Sequence, residues 1–187
     1  MKSTEIFRWY VFYTKPRFEK KIHEKLIKKG LESYLPLIRV LKQWSDRKKW
    51  IEEPLFKSYI FAHVNEKGRL QVLETDGIVR CVSFNGRLAT VPDWQIDYIK
   101  KLVSNKSESL KIEDKIYEKG TKVRVISGPL SGLEGIIEYV SENKWIVFNV
   151  EAVNKSIKVR LSLDEVIQVI NEEPEIEKPK FKYRFNV

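Results

Sequence analysis

The segment Leu55-Phe56-Lys57-Ser58-Tyr59-Ile60-Phe61-Ala62-His63-Val64 restricts the fold of this chain more than any other. In an extended strand successive side chains leave opposite faces, so Tyr59, Phe61 and His63 point one way and Ile60, Ala62 and Val64 the other. Both faces are largely apolar, which places the strand inside a sheet whose one face is covered by helices. The opposite face is either filled by the chain itself or left as an exposed aromatic patch, and such patches mark partner sites.

The flanking sequence supplies the helices and the other strands. Residues 8–14, with Trp9, Tyr10, Val11, Phe12 and Tyr13, favour a strand that stops at Lys15-Pro16. Thr14 is placed to cap the helix that follows, Pro16 suits its first turn, and Gly30 suits its end. On that helix Phe18, Ile22 and Leu26 form one stripe, and Arg17, Lys21, Lys25 and Lys28 form another. Residues 31–40 read as one strand bent at Pro36, followed by a hairpin turning at Ser45-Asp46 with Arg47, Lys48 and Lys49 at its tip. A short helix is expected over 66–74, and residues 79–84 and 87–90 pair around Asn85-Gly86. Pro92 opens a last helix over 93–103, with Trp94, Ile96, Ile99 and Leu102 as its expected buried positions.

Past a polar stretch at 104–118 the pattern changes. Five short strands at 122–126, 135–140, 145–150, 156–161 and 166–170 are separated by turns, the pattern of a small barrel. The expected organisation is therefore α+β: an antiparallel sheet with helices over 1–103, a linker over 104–118, a five-stranded SH3-like barrel over 119–170, and a disordered tail over 171–187.

Charge separates the two parts. Residues 1–102 carry 21 basic and 12 acidic side chains, and the net charge of the whole chain is +9, so the excess belongs entirely to the first part. A cationic domain beside a near-neutral one suggests that the first faces a polyanion such as nucleic acid. Cys81 is the only cysteine and His23 and His63 are the only histidines, which leaves no cysteine-based zinc site and no intramolecular disulfide, and neither histidine has a ligand partner nearby at helical metal spacing. A metal-dependent nuclease would have to use Asp46, Glu52, Glu53 and Asp76, yet these fall on a hairpin and turns where solvated charge is the ordinary role. No cofactor, metal or catalytic group is expected. No apolar run spans a bilayer, so the expected location is the cytoplasm.

Several of these segments carry a family resemblance. Trp9-Tyr10-Val11, Lys15-Pro16-Arg17-x-Glu19, Pro36 and Pro54-Leu55-Phe56-Lys57-Ser58-Tyr59-Ile60-Phe61 resemble the N-terminal domain of NusG proteins. Gly120-x-x-Val123-x-Val125 followed by Gly128-Pro129-Leu130-Ser131-Gly132-Leu133-x-Gly135 is similar to a KOW motif. Where general NusG proteins usually have Pro-Gly before the central aromatic, this chain has Lys57-Ser58. In that it resembles specialised members such as RfaH and the UpxY antiterminators, although no His-Thr-Thr loop is present in residues 65–71.

The resemblance implies a non-enzymatic elongation and antitermination factor. Its first domain would hold the clamp helices of the largest RNA polymerase subunit against Tyr13, Phe56, Tyr59 and Phe61. Lys15, Arg17, Lys21 and Lys25 with Arg47, Lys48 and Lys49 would contact phosphates, by analogy those of the non-template DNA strand, with Trp44 or Trp50 available to stack on a base. The KOW barrel would bind a small-subunit ribosomal protein or Rho near Leu130 and Leu133. Its valines and isoleucines favour a constitutive barrel over a helical hairpin. The competing assignment is a KOW-containing ribosome- or RNA-binding protein, which predicts salt-sensitive RNA affinity and no binding to clamp helices.

Overall fold

The computed structural model describes residues 5–44, 46–106, 110–117, 120–140, 143–160 and 167–169. The tail at 171–187, expected to be disordered, and Ser45 of the expected hairpin turn lie outside the described residues. The chain divides into two compact units, the first holding the three α-helices and the second the strands from residue 110 onward.

The first unit is an antiparallel sheet built on β1 (Arg8–Thr14), which pairs on one side with β5 (Tyr59–Val64). On its other side β1 meets β6 (Ile78–Cys81) and β9 (Thr90–Val91), and β2 (Glu32–Tyr34) extends the sheet beyond β5. Helices α1 (Glu19–Lys28) and α2 (Glu66–Leu73) supply Ile22, Leu26 and Val72 to a core with Tyr10, Phe12, Ile60, Ala62 and Val64. Truncating a residue as fully enclosed as Ile22 or Leu26 to alanine costs about 2–5 kcal/mol.

Helix α1 begins later than expected. Phe18 is its N-cap and donates no capping side chain, while the Thr14 hydroxyl bonds the Lys15 carbonyl instead, so Thr14 is not the cap. Arg17 takes φ 67° in the intervening turn, which delays the helix by consuming the residues expected to start it. At the other end Gly30, at φ 73°, closes the helix with Gly30 N–H to the Ile27 carbonyl and Leu31 N–H to that of Leu26, a Schellman stop.

The strand expected to bend at Pro36 is two strands. Glu32–Tyr34 joins the main sheet, whereas β3 (Leu37–Gln43) leaves it to pair with β4 (Lys48–Pro54) in a separate two-stranded sheet. Pro36 lacks the N–H a continuous ladder needs, and its carbonyl instead accepts from Leu55. The tight pair β7 (Ser83–Phe84) and β8 (Arg87–Leu88) turns at Asn85 and Gly86, both at positive φ as a type I′ turn requires. Helix α3 (Asp93–Lys106) buries Ile96, Ile99 and Leu102. Trp94 is exposed, contrary to expectation, because it lies 200° from Ile96 and packs edge-on against Tyr98 instead.

The second unit is a six-stranded antiparallel sheet in the order β10-β14-β13-β12-β11-β15. Five of these are the expected strands: β11 (Thr121–Val125), β12 (Glu134–Val140), β13 (Asn143–Val150), β14 (Lys155–Arg160) and β15 (Ile167–Val169). The sixth, β10 (Leu110–Glu113), corrects the linker assignment for 104–118: α3 runs into that stretch and β10 pairs with β14 through Leu110–Val159 and Ile112–Ile157. Gly135 allows close strand approach, since a Cβ there would stand 2.6 Å from the Val147 carbonyl oxygen.

Candidate partner and nucleic-acid surfaces

Cross-strand register assembles one aromatic face of the first sheet. Trp9 lies opposite His63, Val11 opposite Phe61, Tyr13 opposite Tyr59, and Tyr34 joins the row beside Phe61. Much of this face is closed by the chain itself. The Lys100 ammonium of α3 stands over the rings of both Trp9 (5.6 Å) and Tyr34 (5.7 Å), and Phe56 packs edge-on against Phe61 at 5.9 Å. Burial of the Tyr34 phenol pushes its pKa well above that of a free tyrosine.

Two expected contact residues are therefore core. Phe56 is 1% exposed and Phe61 0%, so neither offers a ring to a partner; Phe61 is packed between Tyr34 and Phe56. The other end differs. Tyr13 and Tyr59 are half-buried, meet edge to face at 5.3 Å, and carry the Arg80 guanidinium 5.8 Å from the Tyr13 ring. Arg80 had no sequence signal of its own, because only the Tyr13–Arg80 register across β1 and β6 brings it here.

The turn that delivers Tyr59 is unusual. Ser58 sits at φ 64°, the left-handed region glycine prefers. Its N–H donates to Glu19 Oε1 at 2.7 Å and its carbonyl accepts from Thr14 N–H at 2.8 Å.

The expected cations of the first unit fall into two groups. Lys15 and Lys21 flank the Phe18 ring at 5.9 and 5.6 Å, and Arg17 projects from the turn before α1. Lys25 is tied to Asp76 at 3.2 Å, and that hydrogen bond holds the Asp76 carboxyl below its ordinary pKa. The hairpin forms the second group, joined to α1 by a Lys20–Glu52 contact of 4.0 Å. Arg47 lies 3.9 Å from Asp46, while Lys48 and Lys49 are exposed and pair with no carboxylate among the described residues. Trp44 and Trp50 are 58% and 43% exposed, with Leu41 directly across from Trp50 and Arg39 stacked 5.5 Å from its ring. The hairpin thus shows aromatic rings interleaved with cations, the pairing of groups that single-stranded nucleic acid uses.

The carboxylates considered for a metal are engaged by lysine or arginine: Glu52 by Lys20, Glu53 by Lys42 and Lys57, Asp76 by Lys25 and Asp46 by Arg47. No cluster of three or more potential ligands occurs among the described residues.

In the second unit Leu130 and Leu133 are 0% and 1% exposed, so they are core and not a partner surface. The Gly128-to-Gly132 turn folds them inward: Gly132 N–H bonds the Val125 carbonyl at 2.7 Å and Leu133 N–H that of Leu130 at 3.1 Å. Gly128 and Gly132, at φ 79° and 88°, give the turn its shape.

An α+β unit with an aromatic sheet and a cationic hairpin, followed by a small all-β unit, is the arrangement of a NusG N-terminal domain with a KOW domain. Residues 7–100 match the family "Transcription termination factor nusG", and residues 119–148 match the KOW motif. The chain belongs to the NusG family of transcription termination and antitermination factors. It is 28% identical over 178 residues to the transcription termination/antitermination protein NusG of Pseudomonas aeruginosa, covering 87% of this chain and 98% of that protein. It shares its fold with Thermotoga maritima NusG, at a TM-score of 0.51 and 21% identity over 89% of this chain and 98% of the other. No helix among the described residues is long and apolar enough to cross a membrane.

Proposed function

We propose that the first unit docks on the clamp helices of the largest catalytic subunit of RNA polymerase through the Tyr13–Tyr59 end of its sheet, with Arg80 at the rim. The observation that carries this proposal is the half-buried, edge-to-face pair of Tyr13 and Tyr59 at one end of the aromatic face, with the Arg80 guanidinium beside the Tyr13 ring. Tyrosine and arginine are the residue types that dominate binding energy at such contacts. The protein works by binding, without catalysis, in the cytoplasm. Affinity for the closed clamp over the open one shifts polymerase toward the processive state, since a ligand moves an equilibrium by its differential affinity.

Lys15, Arg17 and Lys21, with Trp44, Lys48 and Lys49 of the hairpin, meet the non-template DNA strand. The second unit binds a small-subunit ribosomal protein or Rho, through a surface other than Leu130 and Leu133. Lys57-Ser58, in the resemblance it carries to specialised antiterminators of the RfaH and UpxY kind, supports a role in antitermination. The experiment is retention of core RNA polymerase on immobilised protein. Wild type retains it and Tyr59→Ala loses most of that retention, while equal retention by both rejects the docking end.

A further inference from the structure

Glu19 is the only acidic side chain in the buried class among the described residues, at 5% exposure. It stands in the first turn of α1, where free N–H groups favour negative charge, yet its Oε1 reaches across to the Ser58 N–H. Ser58 is itself only 9% exposed, so water is poorly placed to replace that acceptor. The Ser58 carbonyl is held from the opposite side by Thr14 N–H of β1, and Tyr59 N–H closes the turn on the Phe56 carbonyl at 3.2 Å.

We propose that Glu19 is a positioning residue: by accepting from Ser58 N–H it locks the left-handed turn that presents Tyr59 to its partner. This rests on the docking end described above. An L-residue at φ 64° relaxes toward negative φ unless its peptide is anchored. Without Glu19 the Ser58 N–H is buried and unpaired, which drives the 57–58 peptide to turn toward another acceptor or water. Tyr59, the next residue, moves with it and leaves its edge-to-face contact with Tyr13.

The test uses the full chain and four proteins: wild type, Glu19→Ala, Glu19→Gln, and Glu19→Ala combined with Ser58→Gly. Amide exchange at residue 58, read by NMR without polymerase, is expected to accelerate at least about tenfold in Glu19→Ala and to stay near wild type in Glu19→Gln, which keeps the acceptor oxygen. Affinity for core RNA polymerase is expected to fall about tenfold in Glu19→Ala, to recover within about threefold in Glu19→Gln, and to recover at least about threefold over Glu19→Ala in the combined variant, because glycine holds positive φ unaided although its N–H still lacks the acceptor. Recovery by Ser58→Gly separates positioning from general loss of stability. Unchanged exchange at residue 58 in Glu19→Ala overturns the proposal whether or not polymerase binds. Polymerase affinity that the combined variant does not restore overturns it too. Absence of binding by wild type, with the exchange pattern as expected, instead overturns the docking assignment.

Discussion

Substituting Ser58, held at φ 64°, by glycine removes a Cβ from a left-handed backbone position. Ser58→Gly is expected to raise the unfolding free energy by about 0.5–1 kcal/mol, read from urea titration, since the strain relieved exceeds the entropy glycine adds to the unfolded chain. Cys81 is half-buried, and desolvation pushes its thiol pKa up to about 11. A thiol with a raised pKa is protonated below that pH, so iodoacetamide should label Cys81 slowly at pH 7 and quickly once urea unfolds the chain. Period-two alternation correctly put Tyr59, Phe61 and His63 on one face. It could not say which rings of that face the rest of the chain encloses: Phe61, between Tyr34 and Phe56, is core, and Tyr59 is half open. The same holds for Leu130 and Leu133: their turn was plain from its glycines, but the inward fold of the turn is set by hydrogen bonds that spacing does not encode.

At the level of elements, the hairpin of β3 and β4 has, among the described residues, no strand partner in the main sheet and carries its aromatics outward. Lys48→Ala with Lys49→Ala is expected to lower affinity for a single-stranded DNA oligonucleotide and to flatten the log–log salt dependence by about 1.4, from about 0.7 per lost phosphate contact. Trp44→Ala is expected to cost about 1–3 kcal/mol of binding with little change in that slope, as stacking carries no counterions. Fluorescence anisotropy at several salt concentrations separates the two effects. The hairpin was legible because its strands and basic tip lie together in sequence. The departure of β3 from β2 at Pro36 was less so, because a proline marks a break without specifying where the next strand pairs.

On the scale of the whole molecule, the change from helix-bearing to strand-only sequence marked two units, but β10 escaped notice. Leu110-Lys111-Ile112-Glu113 alternates as a strand should, yet four residues between polar stretches give a weak signal, and pairing with β14, distant in sequence, is what stabilises it as a strand. A fragment beginning at residue 119 lacks β10 and exposes the edge of β14 with Ile157 and Val159 beneath it. It should melt lower and aggregate more readily than one beginning at residue 107, as seen by circular dichroism and light scattering. The proposed role of the full chain rests on the half-open Tyr13–Tyr59 end of the first sheet serving as the seat of a helical partner. Calorimetric titration with the isolated clamp-helix coiled coil of the largest polymerase subunit addresses this most directly. Wild type is expected to bind, and Tyr13→Ala with Tyr59→Ala to bind at least about tenfold more weakly; equal affinity of the two proteins, or none for wild type, would contradict it.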